Sequence, residues 1–337
     1  MSKSSHKNAK IAIHLGYPKS ASSSLQRCLF DLHDEVIYFG SVPTGNVGRD
    51  TPLKNHSSQY LQDERLQQLH RSLTQKNRGD FSQTEVEALF EKRVQPFLES
   101  GRVNVLSNER FLSVFFAYPN LVAKARRLKC LVPDAHILIV IRNQVDIITS
   151  QYRDWPFEPR NFTGGAPVSI GRWVDLALEH DDEIGFLQSL RYDKVVDLYE
   201  DLFGTEAVSV FCLEQLASDA SAFAEDIASC LQIDATQTET LLRGCHENKG
   251  VTRKRNLYRQ LKRTYPVGRI ERLLQRIDQV VGSTLKDRFD TFLDTGPKAS
   301  YTIPPPQARK IRDVFSQSNH SLEESHGLPL SEYKYPQ

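Results

Sequence analysis

Five short runs along the chain are apolar at nearly every position: KIAIHLG (10–16), EVIYFG (35–40), RVNVLS (102–107), HILIVIR (136–142) and AVSVFC (207–212). Runs this short and this uniform predict strands buried on both faces. Between them, over 84–99, 120–131, 189–202 and 220–231, apolar residues recur at helical spacing. Strands separated by helices predict an α/β fold, with a central, mostly parallel sheet covered by helices on both faces. Ligands of such sheets bind at the carboxyl ends of the strands.

The remaining pattern is loop and tail. Segments 40–52 and 155–169 are rich in Gly and Pro, and the second mixes Trp155, Phe157 and Phe162 with Arg160, a composition that either lines an acceptor cleft or packs its own loop. The stretch 249–276 is strongly basic, and the end of the chain reads as a proline-started helix stopped by Gly327.

A chain of 337 residues with 39% hydrophobic and 25% charged positions has the make-up of a globular protein of one large or two small domains. The net charge of +1 supplies no global field for nucleic acid or an anionic membrane, so anion recognition must come from local clusters. Neither nucleic acid nor membrane is expected as a partner, and no apolar run approaches the roughly 20 residues of a membrane span. Five widely spaced cysteines without a CxxC pair read as reduced thiols, and with the polar start MSKSSHKNAK they point to a cytoplasmic protein. The ten histidines show no metal-ligand spacing, so no metal is expected.

The first chemical signal follows the first strand. Gly16 permits a sharp exit, and Lys19, Ser20, Ala21, Ser22, Ser23 and Ser24 fall where the next helix presents unpaired backbone N–H groups. Such a helix end attracts phosphate or sulfate, serines add donors without bulk, and Lys19 adds a mobile charge. A plain helix cap by Ser22 or Ser23 is the alternative. The nucleoside-triphosphate pattern GxxxxGK[ST] is not met, because Gly16, Tyr17 and Pro18 precede Lys19. A magnesium-holding acid is also missing from the end of HILIVI, where Arg142 stands. A kinase-like phosphotransferase is therefore disfavoured.

Arg142 opens the second signal, IRNQVDIITSQYRDW. The step of eight residues from Arg142 to Ser150 runs from a strand end into about two helical turns, so that both can meet one anion, with Asp146 supporting the helix start. Pairing of Arg142 with a local carboxylate is the alternative. The third signal, VNVLSNERFLS, places Glu109 near the same sheet edge, either as a proton acceptor, or as a cap for the helix beginning at Arg110 or the partner of a basic residue.

Taken in order, these pieces resemble the sulfotransferases that use 3′-phosphoadenosine 5′-phosphosulfate, in particular their soluble bacterial members. GYPKSASSSLQ is similar to that family's 5′-phosphosulfate loop, PK[ST]GT[ST]xLQ, and IRNQVDIITSQY to its 3′-phosphate element. The resemblance continues through YDKVVDLYEDLFGTEAVSVFCLEQLASD to SNHSLEESHGLPLSEYKYP. It implies a P-loop-like fold, a single sulfotransferase domain over 10–337 behind a flexible tail of residues 1–9, and metal-independent transfer to a hydroxyl or amine of a carbohydrate or small-molecule acceptor. By the same resemblance Lys19 meets the bridging oxygen, Ser22, Ser23 and Ser24 hold the 5′-phosphate, and Arg142 and Ser150 hold the 3′-phosphate. Glu109 matches the family's base, with His14, inside the first strand, as the other candidate. The family closes over the nucleotide with a late basic loop, for which Arg253 is the candidate, since Arg253, Lys254 and Arg255 are consecutive and cannot all face one phosphate. Two positions depart from the pattern. Ala21 stands where the family has Gly, an exchange free of strain only at negative φ, and Gln144 replaces a proline at a helix start. A regulatory nucleotide-binding protein of the same fold is the rival reading.

Overall fold

The computed structural model describes residues 9–40, 64–77, 79–113, 120–154, 168–245, 251–264, 273–274, 276–279 and 284–337. The tail 1–8, most of the loop 40–52, and the aromatic residues Trp155, Phe157 and Phe162 with Arg160 lie outside them.

All five apolar runs are strands: β1 Ile11–Gly16, β2 Val36–Gly40, β3 Val103–Ser107, β4 His136–Ile141 and β5 Val208–Cys212. They form one parallel sheet in the order β2-β3-β1-β4-β5. Placing β1 in the centre sets its carboxyl end between those of β3 and β4, with His14 opposite Ser107 and Gly16 opposite Val140. The loops after these three strands carry the three chemical signals of the sequence.

The helical periods also become helices, with ends set by local chemistry. Gln83–Arg93 is capped by Ser82 and followed by the short turn Gln95–Phe97, where Pro96 cannot donate to a helical ladder. Asn120 caps Leu121–Leu131, and Asp219 caps Ala220–Leu231, each accepting an N–H from the first turn. The last helix, Pro305–His326, begins with proline and ends at Gly327, whose φ of 63° lies in the left-handed region.

On one face of the sheet Ala12, Val105, Leu138, Val140 and Phe211 bury against Leu25, Leu29, Phe30, Phe223, Ile227 and Leu242. The opposite face of β4 and β5 is covered by the helix Tyr192–Phe203, whose Tyr192, Val196 and Tyr199 are fully buried. Burial of both faces explains why the strands read as unbroken apolar runs.

The chain divides into two compact units, one of Met1–Gln144, Asp181–Glu247 and Arg312–Gln337, the other of Val145–His180 and Asn248–Ile311. The sheet belongs wholly to the first. Within it Cys28 and Cys245, 217 residues apart in sequence, form a disulfide, which corrects the expectation of five reduced thiols. The pair arises because the helix Ala235–Arg243 packs on the segment Leu25–Phe30, a juxtaposition that spacing along the chain does not reveal. Among the described residues no helix is long and apolar enough to cross a membrane.

Candidate functional site

The loop after β1 is built around a missing side chain. A Cβ at Gly16 would lie 1.9 Å from the Ser22 hydroxyl, so only glycine lets the helix start close over the strand end. The Ser22 hydroxyl donates to the Tyr17 carbonyl at 3.0 Å and folds the loop back on itself. The helix then runs as Ser22–Ser24 and continues as a π-helical turn, Leu25–Phe30. Its N-cap is Ala21, which has no side-chain group to cap with. The serines are therefore not a plain cap, and the first-turn N–H groups have no carbonyl of their own helix to bond. The Ser20 hydroxyl is fully buried and has no hydrogen-bond partner among the described residues.

Two residues of the loop have left-handed backbone, Lys19 with φ 72° and Ala21 with φ 53°. The strain-free condition of negative φ at Ala21 is thus not met. An L-residue in this region costs about 1–2 kcal/mol, and strain of this kind gathers where the surrounding structure demands a particular shape.

Part of that demand comes from Arg142, one residue past β4. Its Nη1 donates to the Lys19 carbonyl at 2.8 Å, tying the second signal to the first. Arg142 is itself held from behind, because the Tyr192 hydroxyl donates to its carbonyl. Burial pushes the Tyr192 phenol well above its usual pKa, so it remains a donor. Tyr17 packs edge-on against Tyr192 at 5.1 Å and donates to the Ser189 carbonyl at 2.7 Å. Next door, Glu214 accepts the Asn143 N–H and the Tyr335 hydroxyl, each at 2.8 Å. Gln144 starts the following helix and bonds Asn319 at 2.6 Å, so the residue that replaces proline fastens the last helix to the strand end. Tyr192 and Tyr335 carry no local sequence signal for this task. Glu214 was legible only as part of the resembling stretch YDKVVDLYEDLFGTEAVSVFCLEQLASD.

Glu109 lies two residues past β3, at the first position of the turn Glu109–Phe111. The cap of that turn is Asn108, whose Oδ1 accepts the Arg110 N–H at 2.9 Å, so Glu109 is not the cap. Among the described residues no hydrogen bond or ion pair involves its half-buried carboxylate.

His14 is enclosed. Its Nδ1 lies 2.7 Å from the Ser107 hydroxyl, which in turn accepts from Gln26 at 2.9 Å, and its ring meets Phe30 edge-on at 5.3 Å. Burial pushes the His14 pKa down to about 3.

Ser150 and Arg253 belong to the second unit. Ser150, on the helix Gln144–Asp154, is buried and accepts from Arg153 Nη2 at 2.8 Å. Arg153, one turn further on, is a cation at this element that the motif comparison did not single out. Arg253 is exposed at the start of the helix Arg253–Thr264. Its neighbours are engaged elsewhere: Lys254 sits 4.0 Å over the Phe292 ring, and Arg255 pairs with Asp290 and Asp294.

No family model matches this sequence, and no curated protein matches it. Among solved structures, a sulfotransferase from Alicyclobacillus acidocaldarius is similar over 97% of this chain and 99% of its own, at 16% identity and a TM-score of 0.50. Mouse sulfotransferase SULT7A1, complexed with PAP, is similar over 71% of this chain and 64% of its own, at 15% identity and a TM-score of 0.40. The protein thus has an α/β fold of the kind found in the bacterial sulfotransferase.

Proposed function

We propose that the protein transfers a sulfuryl group from 3′-phosphoadenosine 5′-phosphosulfate to a hydroxyl or amine of a small-molecule or carbohydrate acceptor. The observation that carries this reading is the loop between β1 and its helix: strained at Lys19 and Ala21, uncapped, lined with serines and bonded to Arg142. A helix start without a side-chain cap, held open at the carboxyl edge of a parallel sheet, suits an anionic ligand.

In this reading the N–H groups of Ser22, Ser23 and Ser24 and the hydroxyls of Ser23 and Ser24 hold the 5′-phosphate, while the Ser22 hydroxyl, committed to the Tyr17 carbonyl, shapes the loop around it together with Ser20 and Ala21. The resemblance assigns Arg142 and Ser150 to the 3′-phosphate and Arg253, on the basic segment, to the nucleotide. The acceptor oxygen attacks sulfur in line with the bridging oxygen, which leaves with the bonding pair, and Lys19 stabilises the charge that develops there. Glu109 takes the acceptor's proton. A fully buried imidazole with a pKa of about 3 is a poor acceptor at neutral pH, which favours Glu109 over His14. Positioning and fixed charge do the work, and no step calls for a metal. We place the whole of 10–337 in the transferase.

The strain at Ala21 is the observation that favours a second reading, a nucleotide-binding regulatory protein that has kept the fold and lost turnover. Incubation with 3′-phosphoadenosine 5′-phosphosulfate and a panel of hydroxyl and amine acceptors, followed by mass spectrometry for sulfated product, separates the two. Product formation supports the enzyme. Tight binding of the desulfo nucleotide without any turnover supports the regulator.

A further inference from the structure

We infer that His70 is a positioning residue for Glu109, acting through Asn108 to fix the turn on which that carboxylate stands. The inference rests on the reading of Glu109 as the proton acceptor.

The turn Glu109–Phe111 is only three residues long and has too few internal hydrogen bonds to hold itself. Its stiffness comes from outside. Asn108 Oδ1 accepts the Arg110 N–H at 2.9 Å, and Asn108 Nδ2 donates to His70 Nδ1 at 3.1 Å. His70 Nε2 lies 3.2 Å from the Phe39 carbonyl at the end of β2. A carbonyl only accepts, so Nε2 carries the hydrogen and Nδ1 must accept. The tautomer of His70 therefore dictates which way the Asn108 amide faces, and its oxygen is left aimed at the Arg110 N–H. Both side chains are 3% exposed, so water does not offer either amide orientation a substitute partner. Burial lowers the His70 pKa to about 4, which keeps the ring neutral and the tautomer unchanged at neutral pH.

The far end of the turn is held too. Lys124, fully buried on the helix Leu121–Leu131, donates to the carbonyls of Arg110 and Ser113, and Phe111 is fully buried beside the His70 ring. Around Glu109 the backbone is thus fastened on both sides, while no hydrogen bond or ion pair among the described residues restrains its carboxylate. A group held in place by its backbone and left unpaired at its tip is what a proton acceptor needs, since a misplacement of about 1 Å can cost about a hundredfold in rate.

Two substitutions of His70 divide its two bonds. Asparagine places an oxygen near the position of Nδ1 and can still accept from Asn108, whereas glutamine places its amide nitrogen near Nε2 and keeps only the bond to Phe39. We expect His70→Gln to speed hydrogen exchange of the Arg110 amide by about tenfold and to lower kcat by about tenfold or more, with KM for the phosphosulfate donor within about twofold. His70→Asn should retain slow Arg110 exchange and most of the turnover. Asn108→Ala, which leaves His70 in place, should match His70→Gln. A loss of melting temperature in His70→Gln without change in kcat or Arg110 exchange would overturn the inference, as would equal loss in both His70 variants. Glu109→Gln is measured in parallel. If it turns over normally while the His70 variants still alter Arg110 exchange in the expected order, the turn is held as described and the base assignment is what fails. If Glu109→Gln is slow and the His70 variants are indistinguishable from wild type in both readouts, the base stands and the positioning role is refuted. Should no acceptor be sulfated at all, Arg110 exchange still decides the structural part.

Discussion

Arg142 Nη1 lies 2.8 Å from the carbonyl of Lys19, so the end of β4 and the loop after β1 behave as one piece. A carbonyl reached by a guanidinium is held by a charge-assisted hydrogen bond, one of the stronger kinds. The same contact explains how a non-glycine loop keeps two left-handed residues: the strain is local, and the bond that opposes its release is fixed from behind by Tyr192.

Removing that bond should act on the ligand and on the loop together. Arg142→Ala is expected to weaken binding of the desulfo nucleotide by about 1.5–3 kcal/mol, the worth of a hydrogen bond to a charged group. Calorimetry measures it. Glu109→Gln should leave this affinity nearly unchanged.

Lys19 is expected to matter more in the transition state than in the bound nucleotide. Lys19→Ala should depress turnover about a hundredfold or more, the scale of one oxyanion donor, with a smaller change in nucleotide affinity. Lys19→Arg should restore part of it, since a planar fork does not occupy the place of a compact ammonium. Normal turnover in both variants would remove the loop from the chemistry.

Ala21 gives a prediction of the opposite sign. Glycine adopts positive φ without strain, so Ala21→Gly should stabilise the protein by about 0.5–1 kcal/mol, the strain relieved being partly offset by the extra freedom of the unfolded chain. Thermal unfolding of the two proteins shows it. A lower melting temperature for the glycine variant would mean that Ala21 does not sit at its φ of 53° in solution.

The Cys28–Cys245 disulfide closes a loop of 217 residues. Its reduction should cost about 2–4 kcal/mol of stability, chiefly by freeing the unfolded chain. Unfolding midpoints with and without dithiothreitol, together with alkylation mass shifts to count free thiols, test this. The remaining three cysteines should alkylate after unfolding whether or not the protein has been reduced.

Acid should unfold the protein early. His14 and His70 are buried and neutral, with pKa values lowered from the usual 6.5 to about 3 and about 4. Below about pH 6.5 the unfolded chain takes up protons that the folded protein refuses, so this part of the stability is full above pH 6.5 and is lost as the pH falls toward 4 and then 3. Denaturant midpoints should therefore drop steeply between about pH 6 and 4. His14→Gln should flatten that slope.

By itself the sequence determined the strands, most of the helices and the order of the three chemical elements. The reason is that uniform apolar runs, helical spacing and capping residues such as Asn120, Asp219 and Gly327 act over a few neighbours. It also located Lys19, Arg142 and Glu109 at strand ends, because a parallel sheet puts those ends on one edge. Tertiary structure decided what is joined across distance. The strand order placed β1 between β3 and β4, the packing of Ala235–Arg243 on Leu25–Phe30 brought Cys245 to Cys28, and the fold delivered Tyr192 to Arg142 and His70 to Asn108. None of these pairs has a local signature, since each member satisfies ordinary rules of its own segment. The left-handed backbone at Ala21 belongs here too: alanine is a residue that local preference sends elsewhere, and only the contacts around the loop hold it there.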